Sequence, residues 1–148
     1  MKKKWLIAGV FLTCILTQNV YAENSATVSY TVNPSYTVMI PRSTTVEFNK
    51  LTESYGRILI EEAQIDEGKC IRVSLKTEGT LKNEANSNEI IPYKIVEEGK
   101  TTPFVSANYH TAGEATPLEF HINQKDWNKA AAGDYKDTVT FTISYVNE

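Results

Sequence analysis

Three acidic pairs, Glu61-Glu62, Asp66-Glu67 and Glu97-Glu98, are where this sequence comes nearest to chemistry. Two carboxylates facing each other across a cleft can hydrolyse a glycosidic bond. These pairs fall at strand ends and turns, where a solvated charge is the simpler reading. His110 and His121 are the two histidines, and neither has a cysteine or carboxylate at zinc-ligand spacing. The acidic loops lack the alternating Asp-x-Asp spacing of a calcium loop. No Gly-x-Ser-x-Gly elbow occurs to expose a serine nucleophile. Cys70 sits beside Lys69 and Arg72, a setting that suits a reactive thiol, but a half-buried thiol at a sheet edge is by far the preferred reading. Tyr55, Tyr109 and Trp127 are read as loop aromatics that could stack on sugar rings, or else cap a core. The residues therefore imply no catalytic group, no cofactor and no metal, and the expected class is not an enzyme. A hydrolase would require the acids to converge in a cleft.

The elements that must carry these residues are strands. Val28, Tyr30 and Val32 alternate with Thr27, Ser29 and Thr31 in "ATVSYTV", and Tyr36, Val38 and Ile40 do the same in "YTVMIP". Alternation of apolar and polar residues marks a strand with one wet face. Further strands are expected at "TTVEF", "GRILIEEA", "KCIRVSLK", "IIPYKIV", "PLEFHIN" and the closing "DTVTFTISY". Asn33-Pro34-Ser35, Asp66–Lys69, Glu98–Lys100 and Ala132–Asp134 supply turn residues between them. Residues 79–89 read as an exposed loop, and Asn123 could cap one turn or 3₁₀ segment ending near Trp127. The final strand is expected to be central, with Val139, Phe141, Ile143 and Tyr145 inward, Tyr135 at its start and Trp127 over the end of the core. Short strands with regular turns imply an all-β fold, an antiparallel immunoglobulin-like (pilin-like) β-sandwich of about 7–8 strands.

Residues 1–22 have the layout of a secretory signal peptide: Lys2–Lys4, an apolar stretch from Trp5 to Leu16, and Val20-Tyr21-Ala22 before the expected cut. The apolar run is short for a span of ~30 Å of hydrocarbon. One β-sandwich domain is expected over residues 23–148, secreted or at the bacterial cell surface, with no membrane insertion after cleavage. Removing the leader leaves 12 basic against 18 acidic residues, a charge of −6. That charge disfavours nucleic acid as a partner. Cys70 alone remains of the two cysteines, so no disulfide can form within the mature chain.

The stretch "AAGDYKDTVTFTISY" resembles the closing motif of the spore coat protein U domain, which includes pilin subunits of the archaic chaperone–usher class. "SYTVMIP" with "KCIRVSL" is similar to the opening of small secreted bacterial surface sandwiches. The resemblance covers both ends of the mature chain and implies a pilin-like fold acting in surface assembly or adhesion. The disulfide usual in chaperone–usher pilins has no counterpart here. In pilins the sandwich lacks a strand, and a neighbour's N-terminal extension fills the gap. Val28, Tyr30 and Val32 have the alternation that such a donor strand needs. Pairing of this segment within its own chain is the simpler expectation. The expected partners are therefore protein (the same chain or other surface subunits) or a surface polysaccharide bound through loop aromatics. Size-exclusion analysis of the mature protein separates the two modes of pairing: ladders indicate strand exchange, and a sharp monomer indicates closure within one chain.

Overall fold

The computed structural model describes residues 27–148; the expected signal peptide lies outside them. Chain contacts divide the molecule into Met1–Thr31 and Val32–Glu148. The second unit holds ten strands and one short helix: β1 (Ser35–Met39), β2 (Thr52–Gln64), β3 (Lys69–Lys76), β4 (Thr80–Asn83), β5 (Ile90–Pro92), β6 (Lys94–Glu97), β7 (Ser106–Tyr109), β8 (Ala115–His121), α1 (Gln124–Trp127), β9 (Tyr135–Lys136) and β10 (Thr140–Asn147). The count exceeds the expected one because short strands form inside segments read as loops.

The strands form three antiparallel sheets, in the orders β1-β2-β8-β6, β10-β3-β7 and β5-β4-β9. The alternation seen in the sequence is what packs them. Ile58 and Ile60 of β2, and Leu118 and Phe120 of β8, are buried against Ile71 and Val73 of β3. Each such aliphatic side chain removed from water contributes about 1.5–3 kcal/mol. The result is an all-β, antiparallel immunoglobulin-like sandwich. Ile91, Tyr93 and Ile95 share the buried face as expected, but their segment divides into β5 and β6, which join different sheets.

Several elements depart from the sequence reading. Residues 44–48 form no strand, and residues 27–34 form neither a strand nor a turn. Val28 and Tyr30 are 96% and 90% exposed. The 79–89 loop contains β4, which pairs with β5 and β9. The closing strand is an edge rather than a centre: among the described residues β10 pairs with β3 alone, and Ile143 remains 38% exposed. Its Thr residues give a pleated edge a polar surface, which discourages uncontrolled pairing. Tyr135 belongs to β9, not to the final strand. Cys70 is not half-buried but 0% exposed, opposite Val146.

Gly133 permits the approach of two segments that the core needs side by side. Its φ is +148°, and a Cβ there would lie 2.3 Å from Nδ2 of the buried Asn83. Asn83 cannot easily yield, because its Oδ1 accepts bonds from the Ala85 and Asn86 amides. Gly99, with φ +74° and open space around it, shares only the backbone requirement. Gly133→Ala should therefore lower stability by roughly 1–3 kcal/mol, against about 1 kcal/mol for Gly99→Ala. Thermal or denaturant unfolding of the two variants checks the difference.

Candidate functional site

The site begins with an imbalance along β2. β8 pairs with β2 over Thr52–Leu59, whereas β1 pairs with it only over Leu59–Gln64. Two residues explain the split. Pro41 has no N–H to give a sheet, and β2 shifts register between Ser54 and Gly56. A Cβ built on Gly56, whose φ is +114°, would lie 3.5 Å from the Pro41 ring. The chain from Ile40 to Phe48 runs on outside any strand. In the facing sheet, Asp137–Val139 are likewise outside any strand before β10 begins.

Between these two stretches lies a groove of about 820 Å³. Ser43–Val46 flank it on one side and Lys136–Val139 on the other, while Tyr55, Tyr93, Phe120 and Trp127 line it from the core. The rings support one another: Tyr55 and Tyr93 lie 4.5 and 5.5 Å from Phe120, centroid to centroid. Outside the groove lining, Tyr36 of β1 and Tyr145 of β10 meet across the two edge strands with centroids 6.0 Å apart. The Tyr145 hydroxyl accepts from the Asp66 amide at 2.7 Å and donates to the Asp66 carboxylate at 3.0 Å. At one end of the groove Phe48 packs edge-on against Trp127 at 5.4 Å. That loop is pinned: the Trp127 indole donates to the Lys50 carbonyl at 2.7 Å, and the Gln124 amide donates to Asn49 Oδ1 at 2.6 Å.

One polar node interrupts the apolar lining. Asp137 Oδ2 lies 2.7 Å from the Tyr93 hydroxyl and 2.7 Å from Thr77 Oγ1, and those two hydroxyls are themselves 2.7 Å apart. Burial pushes the Tyr93 phenol well above its usual range, and the hydrogen bond to Asp137 adds to this. For Asp137, burial alone would raise the carboxyl. Hydrogen bonds from Tyr93, Thr77 and the amides of Thr138 and Thr80 outweigh it and hold the carboxyl below its usual value. The node fixes the connection between β9 and β10 against the groove.

The residues singled out in the sequence are dispersed. Tyr55 lies in β2 and lines the groove. Trp127 ends α1 and is buried, so it covers the end of the core as expected. Tyr109 is not a loop residue: it closes β7, is buried, and its hydroxyl donates to Thr116 Oγ1 at 2.6 Å. The three aromatics therefore form no exposed platform. His110 meets Glu148 at 2.5 Å and His121 meets Glu119 at 3.2 Å. Among the described residues no group of three or more His, Cys, Asp or Glu is placed to hold a metal ion. Glu97 pairs with Lys100 at 2.6 Å, and Glu61 and Glu62 are exposed on β2. Asp137 and Phe48 were missed. The Asp-Thr-Val-Thr run was read for its alternation alone, and Phe48 was assigned to a strand.

Fold and groove together define a class: an immunoglobulin-like sandwich left open between its first and last strands. No protein-family model and no curated protein matches the chain. Among solved structures it is similar, at 13% identity and a TM-score of 0.49, to a chain from "Chaperone-tip adhesin complex is vital for synergistic activation of CFA/I fimbriae biogenesis". The match covers 74% of this chain and 42% of that one, so this chain spans less than half the length of that protein. Among the described residues no helix is long and apolar enough to cross a membrane.

The depressed Asp137 carboxyl gives a signed pH dependence. Its contribution to stability is present above the unfolded value of about 3.9 and is lost as pH falls through the lower folded value. Asp137→Asn should cost about 1 kcal/mol at neutral pH, since the site is partly solvated. The gap between wild type and variant should close below about pH 3.9, as read by denaturant titration across pH.

Proposed function

We propose that this is a secreted, non-catalytic bacterial surface subunit of fimbrial type whose groove receives a strand from another copy of the chain. The observation that carries this reading is the open aromatic groove between Ser43–Val46 and Lys136–Val139. Such a groove suits an extended segment with apolar side chains at every second position. Val28, Tyr30 and Val32 supply that pattern, and Val28 and Tyr30 are almost fully exposed. The resemblance of "AAGDYKDTVTFTISY" to the spore coat protein U and archaic pilin domain supports the same assignment to surface assembly.

Reach favours a donor in trans. A reversal at Asn33-Pro34 would set Val32 opposite Ser35 and Val28 opposite Met39. The segment would then end beside β1, short of the groove that opens at Ser43. Direction follows from where the two edge strands meet. The Tyr36–Tyr145 contact leaves the Phe48–Trp127 end as the mouth. A guest still joined to its own domain after Val32 must leave there. It would therefore run antiparallel to β10, which travels from the mouth toward Tyr145.

A synthetic peptide of residues 26–33 should bind the mature protein and change Trp127 fluorescence, since Trp127 lines the groove. Replacing Tyr30 by Asp in the peptide should weaken binding at least about tenfold, because a charge would be desolvated against aromatic rings. The same substitution in the full chain should abolish the ladders. A fluorescence change with a polysaccharide, and none with the peptide, would replace this reading by a carbohydrate-binding module.

A further inference from the structure

We infer that Asp137 is a positioning residue for strand uptake: through Tyr93, Thr77 and Thr80 it clasps the Lys136–Val139 flank in the place where a guest must meet it. The inference rests on the strand-donation reading and adds to it the group on which the shape of the groove depends.

The flank needs a clasp because no ladder holds it. β9 ends at Lys136 and β10 begins at Thr140, so Asp137–Val139 are paired in no sheet among the described residues. Val139 packs partly against the core, and Thr138 is exposed. What remains is the Asp137 carboxylate. Its Oδ2 meets the Tyr93 and Thr77 hydroxyls at 2.7 Å each, and its Oδ1 accepts from the Thr138 amide at 2.7 Å. The Thr80 amide is a fourth donor. A carboxylate has about four lone-pair sites, so the chain itself fills them. The donors come from the end of β3, the start of β4, the kink between β5 and β6, and the flank.

Two effects oppose each other when an apolar guest covers this site. Covering a carboxylate favours its neutral form, because the charge loses water. Opening the clasp disfavours the guest, because Tyr93 and the flank would have to be ordered again at the moment of binding. The second effect prevails. Four donors stand in for the lost water beneath a guest, so covering costs little. A neutral carboxyl, by contrast, weakens all four charge-assisted bonds together. Tyr93 carries the consequence into the groove, since its ring lies 5.5 Å from Phe120 in the lining and its hydroxyl is held by Asp137 and Thr77. Other charges lie near. Lys82 is bridged to Glu78 at 2.5 Å and also feels Asp137. Asp134, Lys136 and Glu84 border the flank, and Tyr55 stands close to Tyr93. An Asn variant separates their titration from that of Asp137.

The test uses the mature full chain and the 26–33 peptide with blocked ends. That peptide reads Ala-Thr-Val-Ser-Tyr-Thr-Val-Asn, so it holds no carboxylate, amine or imidazole side chain to titrate in acid. Asp137→Asn should bind it at least about fivefold more weakly at pH 7, with circular dichroism showing both proteins folded. Wild-type affinity should fall toward the variant's as pH drops below about 3.9, while the variant's stays level. Tyr93→Phe keeps the ring and loses only the clasp, so it should also bind more weakly at pH 7. An Asn variant that binds like wild type, or that keeps the whole acid dependence, would overturn the assignment and leave strand donation standing. Should that variant fail to fold, undiminished binding by Tyr93→Phe overturns the clasp in its place. No peptide binding by wild type at pH 7 would sink the strand-donation reading, and the clasp with it.

Discussion

β2 pairs with β8 along its first half, Thr52–Leu59, and with β1 along its second, Leu59–Gln64, so its first half lacks a neighbour on the β1 side, and the remaining architecture follows from that. Pro41 cannot donate to the ladder, and the register shift at Gly56 turns β2 beneath the Pro41 ring. The chain leaves the sheet at this point and does not return until Thr52. Had β1 continued, the first and last strands would have faced each other along their full length. As it is, they touch at Tyr36 and Tyr145 and diverge toward Phe48, and the aromatic side chains beneath are left without a covering strand.

An open sandwich without a disulfide needs other ties, and they are found at the ends of the gap. Tyr145 is anchored to Asp66 through both the amide and the carboxylate. The Asp137 node gathers the end of β3, the start of β4, the kink between β5 and β6 and the approach to β10 into one cluster of hydrogen bonds. Two hydroxyl hydrogens serve three oxygen–oxygen contacts there, so the charged carboxylate, as the common acceptor, holds the cluster together. Both ties are polar and local. They fix the flanks of the groove without filling it.

How much of this was legible depends on whether local pattern or long-range pairing decided the outcome. Alternation located β3, β8 and the buried row Ile91, Tyr93 and Ile95 correctly, because each has one face in the core and the pleat enforces the period. It failed where two strands of equal local quality compete for one edge. "TTVEF" has the composition of a strand, but Pro41 and the Gly56 shift remove its partner. "DTVTFTISY" looks central because its apolar face is clean, yet among the described residues only β3 pairs with it. Tyr109 is preceded by Ser106-Ala107-Asn108, which carries no strand signal, and β7 forms because β3 offers it a buried edge. The groove was therefore invisible residue by residue. It is made by a pairing that does not happen.

The same stiffness that ends β1 also governs the segment before it. Pro34 biases Asn33 toward an extended backbone, which works against a tight reversal at the one place where residues 27–32 could turn back onto β1. Pro34 also keeps the link to Ser35 short and nearly free of alternatives, so little conformational freedom remains there to be lost on assembly. An exposed alternating strand is an aggregation hazard when any edge will serve as its partner. Here the available edges differ in chemistry: β10 presents threonines, while the groove presents rings. Under the strand-donation reading, a segment bearing Tyr30 between two valines would suit the second. In the proposed assembly, selectivity for one end-to-end arrangement over random edge pairing would arise from where the aromatic residues are left uncovered.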